Sequence, residues 1–96
     1  MPRITVLFLA TLYEKTGIHR LQLDLPGEEA PVKSVLYAIL EKFPQLREDL
    51  GENLELVGEE VQVLVNGRNI DFLQGLETRV RDGDTLALIP PAAGGS

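Results

Sequence analysis

The residues of this 96-residue chain best suited to chemistry are its plainest: the closing run Pro90-Pro91-Ala92-Ala93-Gly94-Gly95-Ser96. Consecutive prolines remove ladder donors, stop a strand and favour an extended path. Ala92 and Ala93 are small, and Gly94 and Gly95 have no side chain. The run is therefore expected to be a slim, flexible arm that can enter a channel closed to bulkier residues. The chemistry that suits such an arm is activation of a C-terminal carboxylate. A carboxylate is a poor electrophile until it becomes a mixed anhydride, such as an acyl-adenylate, which a sulfur or nitrogen nucleophile can then attack. On composition alone, the same run also reads as a frayed end or an artificial addition.

Other chemistries find little support. The absence of cysteine removes disulfides, thiolate nucleophiles, redox pairs and Cys-ligated metals together. His19 is the single histidine, so no metal site is expected. Glu28-Glu29, Glu59-Glu60 and the Asp82/Asp84 pair sit in turns and loops, where solvated charge is the better reading than acid–base catalysis. Asp82 and Asp84 are expected to hold a turn through backbone hydrogen bonds. Gly94-Gly95 precedes no helix, so it is not a nucleotide cradle. Arg68 and Arg79 suit contact with an anionic partner and equally a plain surface role.

A net charge of −6 argues against nucleic-acid binding, which needs cations to neutralise phosphates. No apolar run approaches the roughly 20 residues of a spanning helix, so no membrane association is expected. Val6 to Leu12 is too short for a signal peptide and alternates as a strand would. A cytoplasmic location follows as the expectation.

The elements that must position the tail come next. Ile4 to Ala10 is nearly continuous apolar sequence and reads as a central strand. Thr11 to Gly17 breaks it, and Leu21, Leu23 and Leu25 mark a half-buried partner strand over Arg20–Leu25. Val32, Val35, Leu36, Ile39, Leu40 and Phe43 then form one helical stripe. Pro31 fits the first turn of that helix, and Pro44 ends it. A short further turn is expected over 45–50 and an acidic loop over 51–60. Val61, Val63 and Val65 mark a strand, and Asn66-Gly67 a tight turn with positive φ. Residues 68–70 suit a short return strand. Phe72, Leu73 and Leu76 are expected to plug a core edge under a loop, Arg81-Asp82-Gly83-Asp84 to form a turn, and Leu86 to Ile89 the last strand.

One amphipathic helix has one stripe to bury, and one face of a sheet can cover it. A helix crossing between strands implies a parallel pair within an otherwise hairpin-built sheet. The fold class is α+β: a ubiquitin-like β-grasp, a mixed sheet packed on one main helix. Residues 1–90 form the domain and 91–96 the tail. Strand parity adds an argument about partners. With Ile4, Val6 and Phe8 facing the helix, Leu7 and Leu9 face away, as do Leu64 and Ile89. The helix covers one face only, so these four are candidates for an exposed partner-binding patch, joined by Pro90 and Pro91 at the base of the tail. Alternatively, loop residues such as Leu54 and Leu56 fold back over them.

The block Val65-Asn66-Gly67-Arg68-Asn69-Ile70, then Leu76-Glu77-Thr78, then Asp82-Gly83-Asp84 through Pro90-Pro91 to Gly94-Gly95 resembles the MoaD/ThiS family, most closely the small subunit of molybdopterin synthase. Ile4 to Ala10 and Thr16-Gly17 fit as well. The resemblance implies a sulfur carrier with no bound cofactor. An E1-like adenylating enzyme would use ATP to activate the Gly95 carboxylate, next to Gly94, and sulfur would convert it to a thiocarboxylate. A MoaE-like large subunit of molybdopterin synthase would then receive the tail, and Leu7, Leu9 and Ile89 lie where such carriers meet partners. The alternatives are a ubiquitin-like modifier of lysines, a carrier for tRNA thiolation, thiamine or cysteine synthesis, and a plain interaction module with an inert tail. Ser96 departs from the pattern, because while it is present the Gly95 carbonyl lies in a peptide bond. Either a tail-trimming peptidase removes it, or it is not native, or this chain works differently from its relatives. Tyr13 sits where relatives often carry a basic residue.

Overall fold

The computed structural model describes residues 1–91. Strand β1 (Arg3–Phe8) buries Ile4, Val6 and Phe8 completely and turns Thr5 and Leu7 to the opposite face. It pairs antiparallel with β2 (Arg20–Asp24), with Ile4 opposite Leu23 and Val6 opposite Leu21. The strand ends two residues earlier than its apolar run suggests, because Ala10 takes a positive φ of 51°. The connection is a short helix, α1 (Thr11–Thr16), rather than a plain break. Only Leu12 of its residues is buried, and one apolar residue leaves no period to read.

A three-residue strand, β3 (Glu29–Pro31), leads directly into α2 (Val32–Lys42). Val32, Val35, Leu36, Ile39 and Leu40 are buried, as their spacing predicts. Pro31 is not in the first turn. It is the extended cap before it (φ −74°, ψ 153°) and pairs with Arg79 in a second, two-stranded sheet. Phe43 leaves helical geometry just ahead of Pro44, and its ring meets that of Phe8 edge-on at 5.5 Å. A 3-10 turn over Pro44–Leu46 and α3 (Arg47–Leu50) follow, and Leu46 and Leu50 are fully buried. Leu54, in the next loop, belongs to the buried core and does not cover the sheet's other face.

The remaining strands are β4 (Gln62–Val65), β5 (Arg68–Asn69), β6 (Arg79–Arg81) and β7 (Thr85–Ile89). The main sheet runs β2-β1-β7-β4-β5, while β3 pairs with β6. The central pair β1–β7 is parallel, and the other main-sheet pairings are antiparallel. This is the mixed sheet under one main helix that a β-grasp requires.

Asn66 and Gly67 both have positive φ (50° and 84°), the geometry of a tight hairpin turn. Asn66 Oδ1 accepts from the Thr85 amide, and its Nδ2 donates to Asp84 Oδ1. A Cβ at Gly67 would meet nothing within 4 Å, so a side chain there costs backbone strain alone. Gly67→Val is therefore expected to lower stability by about 1–2 kcal/mol in urea unfolding. Asp82 and Asp84 do hold backbone, accepting from the Arg3 and Arg81 amides at 2.8 and 2.7 Å.

Ion pairs lace the surface, exposed between Arg3 and Asp24 and between Lys33 and Glu77, and half-buried where Lys15 meets Asp49 beside Glu48. Hydrogen bonds from Arg3, Lys15 and Lys33 hold the Asp24, Glu48 and Glu77 carboxyls below their ordinary values. Backbone amides of Glu55 itself and of Asn53 do the same for Glu55. Each of these groups binds its proton less readily folded than unfolded. Their stabilisation is thus complete above the ordinary carboxylate range of about pH 4 and fades as pH falls through the lowered values. The melting temperature is expected to be flat near neutrality and to decline only in acid, as a calorimetric pH series would record.

Candidate functional site

Register places the outward residues of the main sheet in rows. One row crosses all five strands as Arg20, Leu7, Ala87, Leu64 and Asn69. To one side lies a polar row, Gln22, Thr5 and Thr85. To the other, Ile89 stands opposite Gln62. The three apolar members of the central row are consecutive, so Leu7, Ala87 and Leu64 form a patch over β1, β7 and β4. All three are half-buried, as is Ile89.

Because β1 and β7 are parallel, their C-terminal ends lie at the same edge of the sheet. Leu9, 38% exposed, follows β1 there, and half-buried Pro90 and exposed Pro91 follow β7. Leu7, Leu64 and Ile89 thus share one face, and Leu9, Pro90 and Pro91 lie at the end toward which β1 and β7 run, where the chain continues toward its terminus. Gly94, Gly95 and Ser96 lie outside the described residues. What the body supplies is a surface, apolar at its centre, at the root of the segment that would carry the chemistry.

The tempting charged groups have other occupations. His19 stacks on Tyr13, with ring centroids 3.7 Å apart. Glu29 faces both Arg79 and Arg81, at 3.7 and 3.2 Å.

Phe72 and Leu73 do not plug the core. Phe72 is 87% exposed and Leu73 37%, while Leu76 alone packs against the core. The reason is local. Ile70 is buried and starts a 3-10 turn over Ile70–Phe72, capped by Asn69 Oδ1 accepting the Asp71 amide. Two residues beyond Ile70, the turn directs Phe72 outward. The Asn69-x-Asp71 spacing is the sequence signal for this cap, and its consequence for Phe72 depends on which residue of the turn is buried.

The five-stranded mixed sheet crossed by one helix, with an apolar outer face at the root of the chain's end, defines the ubiquitin-like β-grasp class. The sequence pattern of the ThiS family matches residues 6–95, and the chain belongs to that family of ubiquitin-like sulfur carriers. Small archaeal modifier protein 3 of Haloferax volcanii is 35% identical over 88 residues, covering 92% of this chain and 94% of that one. A protein of Archaeoglobus fulgidus, described provisionally as a sulfur carrier, is 35% identical over 82 residues, covering 82% and 90%. Among solved structures, small archaeal modifier protein 1 of Haloferax volcanii superposes with a TM-score of 0.82 at 31% identity, covering 97% of this chain and 99% of that one. The complex of subunits 1 and 2 of the molybdopterin-converting factor from Helicobacter pylori contains a chain matching with a TM-score of 0.64 at 26% identity, covering 97% and 99%.

Proposed function

We propose that this chain carries sulfur for molybdopterin synthesis in the cytoplasm. A peptidase removes Ser96 and frees the Gly95 carboxylate. An E1-like enzyme then activates it: a carboxylate oxygen attacks the α-phosphorus of ATP and pyrophosphate leaves. A sulfur nucleophile such as hydrosulfide attacks the acyl carbon, AMP departs, and a thiocarboxylate remains. The tail enters the large subunit of a synthase, which moves the sulfur to a pterin precursor. The carrier binds no cofactor of its own, since ATP is the activating enzyme's substrate, and its partners are proteins rather than nucleic acid or membrane.

The observation that carries this reading is the match of the ThiS pattern, which runs through the whole domain and ends on Gly95 itself. The apolar patch at the tail's root supports it, as does the likeness to a chain solved in complex with its partner subunit. A second reading, conjugation to target lysines, draws on the likeness to small archaeal modifiers and shares the chemistry up to adenylation. A high-mass ladder in cells that vanishes on deleting Gly94-Gly95 would favour it.

The test is the intact mass of untagged protein from its native host, before and after incubation with ATP, a sulfur source and host extract. Loss of Ser96 followed by exchange of one oxygen for sulfur supports the carrier. A chain that retains Ser96 and never gains sulfur overturns it.

A further inference from the structure

Two grooves meet at the Phe72 turn, sharing Arg68 and Leu73 in their walls. The first, about 650 Å³, runs from Ile89 and Leu64 to Phe72, so it continues the apolar patch. The second, about 560 Å³, includes Arg68, Arg79 and Arg81 with Asp84 as its one carboxylate. Asp84 is already committed to the Arg81 amide and the Asn66 side chain. Arg79 and Arg81 share the single carboxylate of Glu29, and Arg68 makes no ion pair among the described residues. On a chain of net charge −6 this is a local concentration of cation beside an exposed aromatic ring.

The turn that carries the ring is held in place. Beneath it Ile70 is buried, the Leu73 amide donates to the Ile70 carbonyl, and Asn69 both caps the turn and donates from Nδ2 to Gln62 Oε1. With the turn already ordered, binding need fix only the ring's own rotamers, and binding hot spots are enriched in aromatic anchors and arginine.

We propose that Phe72, with Arg68 beside it, is the anchor by which the adenylating enzyme grips this chain, through an apolar pocket rimmed by carboxylates. The inference rests on the carrier reading above. That enzyme is the occupant argued for because adenylation is common to the carrier and modifier readings, and because the first groove is continuous with the root of the tail. Carboxylates are the complementary chemistry for three arginines that face too few of their own.

The experiment titrates full-length chain, trimmed after Gly95, into the host's purified adenylating enzyme with ATP and follows pyrophosphate release. Phe72→Ala and Arg68→Glu are each expected to raise the half-saturating concentration about tenfold or more, with kcat within about twofold of wild type. Phe72→Leu should recover most of the loss, and the Arg68→Glu effect should shrink at high salt. Phe72 is exposed, so the melting temperature of Phe72→Ala should match wild type. Normal adenylation with unchanged half-saturation in both variants overturns the anchor and leaves the carrier reading standing. A wild-type chain that is never adenylated overturns both. A wild-type dimer in sedimentation that Phe72→Ala breaks places a second copy on the turn and overturns the proposal.

Discussion

Truncating the chain after Ala93 is expected to abolish sulfur acquisition entirely while leaving the unfolding midpoint of the domain unchanged. The described core ends before the residues removed: the last buried side chain is Leu88, and β7 closes at Ile89. The proposed reaction, by contrast, depends on the tail: in it, two glycines keep the approach to the activating enzyme narrow, and the second supplies the acyl carbon. A chain ending at Ala93 still ends in a carboxylate, but that group is two residues short of the position an enzyme shaped for Gly95 would address. Misplacing a reacting atom by far less than a residue length can cost about a hundredfold in rate. The measurement is thiocarboxylate formation by intact mass, paired with urea unfolding. Residual sulfur on the truncated chain would sink the tail mechanism. A shifted midpoint would place the tail in the folded core.

The second large effect concerns two neighbours one peptide bond apart. Val63→Arg is expected to unfold the domain, whereas Leu64→Arg is expected to be tolerated. Val63 is 1% exposed, in β4 between β7 and β5, and sits opposite the fully buried Leu88. Placing a guanidinium there costs several kcal/mol of desolvation, in addition to roughly 1.5–3 kcal/mol of lost valine burial. Set against a typical domain stability of about 5–15 kcal/mol, that is enough to lose the fold or nearly so. Leu64 lies on the outer face in the Leu7–Ala87–Leu64 row, half in solvent, so its replacement should change stability by about 1 kcal/mol or less. Circular dichroism and denaturant titration of the two variants decide the register. If both unfold, something covers the outer face. If Leu64→Arg unfolds and Val63→Arg folds, the strand is slipped by one residue. A folded Leu64→Arg that no longer binds the adenylating enzyme would extend the docking surface from Phe72 to the sheet.

Much of the fold was legible because its main elements are long enough to display a period. The stripe from Val32 to Leu40 spans more than two helical turns, and Val61, Val63 and Val65 alternate cleanly; both ended up buried as their spacing predicts. Asn66-Gly67 was legible for a different reason, since few residue pairs accept two positive φ angles in succession. The misread segments are all short. Helix α1 buries only Leu12, and β3 and β6 have three residues each, with Pro31 serving as both strand end and helix cap. Such pieces form because distant chain holds them, as Val80 does for Ala30 and Arg79 for Pro31. Nothing in three local residues encodes that pairing.

The candidate site divides along the same line. The sequence by itself determined that the terminal run is small, proline-preceded and carries two glycines before Ser96, and that strand parity leaves Leu7, Leu64 and Ile89 without a helix to cover them. Those are properties of residue type and of a period-two backbone, and they need no partner segment to be read. Tertiary structure decided which of them stand together. Parallel pairing of β1 with β7 brings Leu9 and Pro90 to the same end, and the register sets Leu7 and Leu64 on either side of Ala87. It also decided that Phe72 faces solvent beside Arg68, because the burial of Ile70 uses the one inward position that turn offers. An apolar residue in a loop carries no period, so only the packing of its neighbours settles whether it fills a core or meets a partner.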